Sequence, residues 1–394
     1  MKINGTIYFD YQASTPLDPR VFAHMKPWYE ELCGNPHSSD HVLGWRAKEA
    51  IDIAAKHVAG LIGADPDEIV FTSGATEANN LALLGLAHCA LQGNRRRILA
   101  GATEHKCVLA ALRALEERYG FLIELIPVDA CGFTDLNWLE SRLGDDVLCV
   151  SVMAVNNEIG TIQDLAAIAA MIEKHGIIFH SDCAQASLAC DLSHLSAIVD
   201  MVSLSAHKMY GPQGIGALYV RRELHNSLEP LIYGGGQQGN LRSGTLPTAL
   251  CVGMGVAAKL VREEAATERQ TTSRQRDAFV ARLQNLSWTI AINGPMPSQR
   301  HPGNANLRFE GFDAHDILLA LQPKLAASTG SACTSGMPES SHVLRSVGLS
   351  EKEARSSIRF SIGRFTEDTE VQEAATLLEE VLSDLNTTEL SATA

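Results

Sequence analysis

The chain has 394 residues, 45% of them hydrophobic and 20% charged, which is the balance of an ordinary globular protein long enough for more than one core. A formal net charge of -14 argues against a general binder of nucleic acid or anionic membrane, because neutralising phosphates takes a basic face. The nine cysteines are odd in number, scattered and free of any C-x-x-C pair, so neither a disulfide framework nor an intrinsic metal site is expected. There is no basic amino-terminal region followed by an apolar core, and no apolar run nears the roughly twenty residues that span a bilayer. A cytoplasmic protein is expected.

In chain order, the first segment carries YFDYQASTPLDP, polar and proline-bounded, unsuited to a helix or a central strand, and reads as an arm. From Val42 to Ile62 the apolar positions Trp45, Ile51, Ala55, Val58 and Ile62 recur at helical spacing, and Gly63 follows as a C-cap. EIVFTSGATEANNLALLGL then predicts a strand ending near Thr72, a small-residue turn from Ser73 to Thr76, and a helix through Leu86. That order aims several backbone N–H groups and the positive end of a helix dipole at one point, a cradle for phosphate; Thr76 adds a hydroxyl, while Glu77 equally suits an ordinary helix start.

The alternation continues with strands at 97–101, 121–128, 147–155 and 177–180 and helices at 106–117, 136–143 and 163–175. Strands apolar on both faces imply a mostly parallel sheet covered by helices. Polar residues stand at the strand exits: His105, Asn157, and Asp182 with Gln185. Open α/β sheets bind ligands at such exits.

The stretch from Val199 to Gly216 is central. Val199, Met201, Val202 and Leu204 predict a short buried strand, after which Ser205 and His207 flank Lys208 and a Gly-Pro-Gln-Gly turn follows. Lys208 therefore stands at a strand's carboxyl end, where a partly desolvated amine is neutral enough to form a Schiff base. A lone lysine in a turn is ordinarily a surface residue, so this reading leans on the other strand exits. Beyond it come a strand at 214–220, a glycine-rich loop from Tyr233 to Thr245, and a long charged helix from Met254 to about Asn285. A second α/β pattern closes the chain, with strands at 305–309 and in IRFSIGRF, helices at 315–321 and from Lys352, and a final helix to Leu385 before a polar, fraying tail.

Taken together, FTSGATE, ATEH, VNNEIG, HSDCAQ, SLSAHKMYGPQGIGALYVRR, GGGQ…LRSGTLP, STGSACTSG and SSIRFSIGRF resemble, in order, the NifS/IscS-type cysteine desulfurases of the class V aminotransferase family. The resemblance runs from about Tyr8 to about Leu385. It implies a fold-type-I pyridoxal-phosphate enzyme, with a large domain over 15–257 built on a mostly parallel seven-stranded sheet, a smaller α/β domain over 258–394, and an arm, 1–14, joining them. By the same resemblance Lys208 would bind pyridoxal 5′-phosphate and shuttle the substrate Cα proton, Asp182 would face the pyridine nitrogen, and His105 would stack on the ring and, as a catalytic residue, assist proton transfer. Gln185 and Asn157 would hydrogen-bond the ring hydroxyl or the substrate; Ala75, Thr76, Ser205 and His207 would hold the phosphate; Arg359 would clamp the substrate carboxylate. Thr245 would reach the phosphate of a neighbouring subunit, implying a homodimer.

Cys333, between Gly-Ser-Ala and Thr-Ser-Gly, is implied to take sulfur from L-cysteine as a persulfide, releasing L-alanine, and to pass it to an acceptor protein. The resemblance allows Cys333 to act as a transient ligand of a cluster during transfer. The length from Ser328 to Arg345 is similar to the longer-loop group, which hands sulfur directly to partner proteins; iron–sulfur cluster assembly, tRNA thiolation and DNA phosphorothioation are the acceptor routes that the resemblance implies. The chain departs from the family at Gln237, Gln238, Gly239 and Asn240, where an acid and a base are usual, and in a short tail. The competing readings are a selenocysteine or cystine lyase on the same scaffold and a non-catalytic regulatory homologue.

Overall fold

The computed structural model describes residues 1–87, 93–330 and 341–392 of the protein. The chain opens with β1 (Lys2–Ile3) and β2 (Thr6–Tyr8), and the predicted long helix is α1 (Val42–Ile62), which stops at Gly63 with φ 76°, the left-handed C-cap that glycine adopts without strain. Strand β3 (Ile69–Thr72) leads through Ser73 and Gly74 into α2 (Ala75–Gly85). Then follow β4 (Arg97–Gly101), α3 (Lys106–Tyr119), β5 (Leu122–Ile126), α4 (Leu136–Arg142), β6 (Val147–Ser151), α5 (Leu165–Ile172), β7 (Ile178–Asp182), β8 (Met201–Ser205) and β9 (Gly216–Val220). Aspartates start two of these helices: Asp135 accepts from the Trp138 N–H at α4 and Asp164 from the Ala167 N–H at α5.

Strands β3 to β9 make one seven-stranded sheet in the order β3-β9-β8-β7-β6-β4-β5. The pairs β4–β5, β4–β6, β6–β7 and β7–β8 are parallel, and β9 runs antiparallel to both β3 and β8. Strands β3, β6, β8 and β9 are buried along their whole length, as their largely apolar sequence, free of charged residues, predicts for a sheet covered on both faces. Because β6, β7 and β8 point the same way, the residues just after them share one rim of the sheet.

Next comes α6 (Thr248–Gln284), 37 residues long. Met254, Ala257, Ala258 and Val261 in its first half pack into the large sheet's core, and Phe279, Val280 and Leu283 in its second half into another. That second core is built on β10 (Ile290–Ile292), β11 (Asn304–Phe309), α7 (Ala314–Ala320), β12 (Leu325–Ala326), β13 (Ser357–Ser361) and α10 (Asp368–Ala392), while α8 (His342–Ser346) and α9 (Glu351–Arg355) put Val343, Leu344 and Ala354 into a smaller cluster with Ile159. Strands β10, β11 and β13 form an antiparallel sheet. The closing helix runs on to Ala392, into the polar stretch from Asn386 where the sequence predicts fraying.

The amino-terminal segment differs from its expected character. Strand β2 pairs in parallel with β12, Ile7 opposite Leu325, and both Ile7 and Phe9 are fully buried in the second core. Burying two such side chains contributes roughly 1.5–3 kcal/mol each. The alternation of Ile7 and Phe9 is a strand signal, short enough to be masked by the polar, proline-bounded residues that follow.

The departure at Gln237 to Asn240 also has a structural role. Strand β3 is an edge, and the side-chain amide of Gln238 bonds the backbone of Phe71 as a further strand would: Oε1 accepts from the Phe71 N–H at 2.6 Å and Nε2 donates to the Phe71 carbonyl at 3.0 Å. Gln237 Oε1 accepts from the Gly244 N–H at 2.8 Å. Neutral amides here seal the sheet edge and the glycine-rich loop within one chain.

Candidate active site

The exits of β7 and β8, the loop after β6, the first turns of α2 and α3, the arm and β13 converge on one cleft of 1720 Å³. Ala75, Thr76, His105 and Asn157 line it, together with Asp182, Gln185, Ser205 and His207 and with Lys208 and Arg359. Thr245 is exposed and is absent from the lining. Cys333 lies outside the described residues.

Lys208 ends a single helical turn that continues β8. Its amine donates to the main-chain carbonyls of Gln12 and of Ala13, the latter at 2.8 Å, and Gln185 Nε2 donates to the same Gln12 carbonyl at 2.8 Å. Burial, and then the positive charge of Arg359, hold the ammonium down to about 8, against the opposing pull of Asp10 and Asp182. The arm also clasps the turn: Thr15 donates to the His207 carbonyl from N at 2.8 Å and from Oγ1 at 2.9 Å, and Ser14 Oγ lies 3.2 Å from His207 Nδ1. The His207 imidazole is lowered to about 4, by burial and then by Lys208. Sequence reasoning missed Gln12 and its neighbours as site residues; their one signal was the polar run QAST shortly after the apolar Tyr8 and Phe9.

Asp182 closes β7 and is only 5% exposed. Its Oδ1 accepts from the Ala184 N–H at 2.9 Å and its Oδ2 from Asn79 Nδ2 at 2.7 Å. His105 is the N-cap of α3, with Nδ1 accepting from the Cys107 N–H at 3.2 Å. His105 is exposed at the cleft, and partial desolvation by the surrounding chain lowers its pKa, with Asp182 opposing.

At the start of α2, Glu77 accepts from the Ser73 N–H at 2.7 Å and from Arg242 Nε at 2.9 Å, so the acid at the helix start also ties in the glycine-rich loop. Gly216 opens β9 directly against this turn: a Cβ there would fall 2.7 Å from Gly74 Cα and 2.5 Å from the Leu204 carbonyl oxygen. Only glycine allows that approach. It brings the α2 N-terminus beside Ser205, the last residue of β8.

Arg359 extends from β13 into the same cleft. Nη1 donates to the Asn157 carbonyl at 2.8 Å, and Nη2 donates to Asp10 Oδ1 at 2.7 Å and to Ser328 Oγ at 2.9 Å. Its Nε has no partner among the described residues. Asp10 and Ser328 were not expected here. Two further carboxyls beside expected residues were also missed. Glu158, 3% exposed, accepts from Ser341 Oγ at 2.5 Å, and burial raises its pKa against that bond. Glu104, 1% exposed, accepts from the Met153 N–H at 2.6 Å and is raised well above the ordinary range by burial. Both acids stand within the motifs ATEH and VNNEIG, where attention fell on the neighbouring His105 and Asn157.

Such a cleft offers a near-neutral amine, a buried carboxylate with neutral partners among the described residues, a helix start that suits an anion, and a guanidinium whose Nε has no partner among the described residues. Residues 7–373 match the family described as Aminotransferase class-V. A cysteine desulfurase IscS from Rickettsia felis is 46% identical over 378 residues, covering 95% of this chain and 90% of that protein. Among solved structures, a NifS-like protein matches with a TM-score of 0.89 at 32% identity, covering 96% of this chain and 99% of that one. SspA in complex with cysteine matches with a TM-score of 0.78 at 37% identity, covering 92% of this chain and 100% of that one. By its sequence and its fold, the chain belongs to the class-V aminotransferase family and, within it, to the NifS/IscS-type cysteine desulfurases.

Proposed function

We propose that the protein uses pyridoxal 5′-phosphate to remove sulfur from L-cysteine, releasing L-alanine and holding the sulfur as a persulfide on Cys333. The observation that carries this reading is the Lys208 amine, depressed to about 8 and bonded to main-chain carbonyls, in a cleft shared with the buried Asp182. SspA, solved with cysteine, supports the choice of substrate.

The residues fit the coenzyme. Asp182 accepts from neutral donors among the described residues, so its carboxylate suits a protonated pyridine nitrogen. Ala75, Thr76, Ser205 and His207 surround the α2 N-terminus, where a phosphate would be held by backbone N–H groups and the helix dipole. His105 would stack on the ring, and Asn157 and Gln185 would bond its hydroxyl or the substrate. When bound, the coenzyme supplies an aldehyde that condenses with amines and a ring that draws electrons from the substrate Cα.

Lys208 Nζ would then take the proton from Cα and return it, a task for an amine that titrates near neutrality. Arg359 would donate to the substrate carboxylate, with Asp10, Ser328 and the Asn157 carbonyl fixing the guanidinium plane. As the carbon–sulfur bond breaks, the substrate carbon gains a proton to give alanine, and a sulfur–sulfur bond forms to Cys333. The sulfur would pass to an acceptor protein, in iron–sulfur cluster assembly, tRNA thiolation or DNA phosphorothioation. Residues 15–257 would form the coenzyme-binding domain and 258–394 the smaller one, with Thr245, exposed on this subunit, reaching the phosphate of a second subunit in a homodimer.

The test is turnover of L-cysteine by the coenzyme-loaded protein. Alanine release with a persulfide adduct on the Cys333 peptide, seen by mass spectrometry, is the expected result. Alanine without any adduct would favour a lyase, and no turnover would favour a regulatory homologue.

A further inference from the structure

Asn79, Cys107, His105 and Asp182 form one hydrogen-bonded line at the cleft, and the roles assigned so far use only its two ends. Asn79, on α2, is fully buried, with Nδ2 2.7 Å from Asp182 Oδ2 and 3.4 Å from Cys107 Sγ. A carboxylate only accepts, so the nitrogen end of the amide faces it, and the two amide hydrogens serve one partner each. Cys107, in the first turn of α3, lines the cleft and places Sγ 3.0 Å from His105 Nδ1, the atom that also accepts from the Cys107 backbone N–H. A backbone N–H can only donate. Nδ1 therefore carries the lone pair, and the neutral ring carries its hydrogen on Nε2. With its sulfur bonded by Asn79 and Thr76, the Cys107 thiol has the Nδ1 lone pair, shared with the backbone N–H, as the acceptor within reach of its own hydrogen.

We propose that Cys107 and Asn79 are positioning residues, acting through His105 and Asp182, that hold the imidazole neutral, so that the Nε2–H form set by the backbone bond persists at neutral pH. The inference rests on the roles given above to His105 and Asp182. Burial, then the charge of Asp182, push the Cys107 thiol up to about 11, so it keeps its hydrogen at neutral pH. The charged and titratable groups that face His105 are Asp182 from β7, Lys208 after β8, His342 on α8 and Lys106 on α3. Asp182 favours the charged imidazole, and desolvation with the other three opposes it. A cysteine that merely filled space would leave the titration of His105 indifferent to its side chain.

The experiment is nuclear magnetic resonance of the full-length chain labelled with [¹⁵N]histidine, free of coenzyme, read through the ring nitrogen shifts. His105 is expected in the Nε2–H form. Cys107→Ala removes a donor to the neutral ring and should raise the His105 titration midpoint by about one pH unit, and Cys107→Ser should restore it. In coenzyme-loaded protein, Cys107→Ala should lower kcat about tenfold with little change in KM, and Cys107→Ser should recover most of the loss. A wild-type ring in the Nδ1–H form, or a midpoint unmoved in Cys107→Ala, overturns the proposal. Full turnover of L-cysteine by His105→Ala would instead overturn the reading of the active site, a failure separable from the other because it does not depend on the tautomer.

Discussion

Asp10 Oδ1 lies 2.7 Å from Arg359 Nη2, so the amino-terminal arm and a strand of the small sheet meet as an ion pair inside the cleft. The two side chains are 19% and 4% exposed, and the acid neutralises a cation that burial would otherwise leave alone. The guanidinium that the arm holds is also the proposed grip on the substrate carboxylate.

Two variants separate those duties. Asp10→Asn should lower the stability of the ligand-free protein by about 3 kcal/mol in urea unfolding, the cost of leaving a buried charge without its counter-ion. Arg359→Lys should raise KM for L-cysteine about tenfold or more while kcat changes less, because an ammonium cannot present a planar pair of donors. An Asp10→Asn protein as stable as the wild type would show that solvent already screens Arg359.

The depressed Lys208 amine predicts a pH dependence for coenzyme uptake. Only the neutral amine attacks an aldehyde, and a group titrating at about 8 gains neutral fraction about fivefold between pH 7 and pH 8. The rate at which coenzyme-free protein acquires visible absorption from added pyridoxal phosphate should follow that rise and level off above pH 9. A rate still climbing in proportion to hydroxide above pH 9 would mean that Lys208 titrates as an ordinary surface lysine.

Colour and turnover should part company in two substitutions. Lys208→Ala should lose the visible absorption of the purified protein, whereas Cys333→Ser should keep it and lose both alanine and sulfide production from L-cysteine. An unchanged yellow colour in the first would contradict the Schiff-base assignment, and full activity in the second would move the reading to a lyase.

His180 predicts acid sensitivity of the fold. It is fully buried within the sheet, between Ser151 Oγ at 2.9 Å and Ser203 Oγ at 3.3 Å, and burial holds its pKa down to about 3. The unfolded chain takes up that proton near pH 6.5, so the stability that His180 confers is complete above about 6.5. It is shed as pH falls toward about 3, at up to about 1.4 kcal/mol per pH unit. Urea midpoints measured from pH 7 to pH 5 should fall more steeply for the wild type than for His180→Asn. Parallel slopes would exclude His180 as the source.

The frame of this molecule was legible in the sequence because its causes are local. An apolar run reads as a buried strand whatever lies beyond it, Gly63 marks a helix end by its own conformational freedom, and Ser73 to Thr76 announce a helix start. Lys208 was legible for the same reason, standing where such a run stops. The companions of these residues were not. Gln12 meets Lys208 across 196 positions, Asp10 meets Arg359 across 349, and Asn79 meets Asp182 across 103. A hydrogen bond between groups so far apart leaves no periodicity and no adjacent motif, because it exists only once parallel strands have carried their ends to one rim and the arm has docked Ile7 and Phe9 into the second core. Which chemistry the chain carries is written in short segments; how its amine, carboxylates, imidazole and guanidinium are tuned is decided by burial and by distant neighbours, and those belong to the folded chain alone.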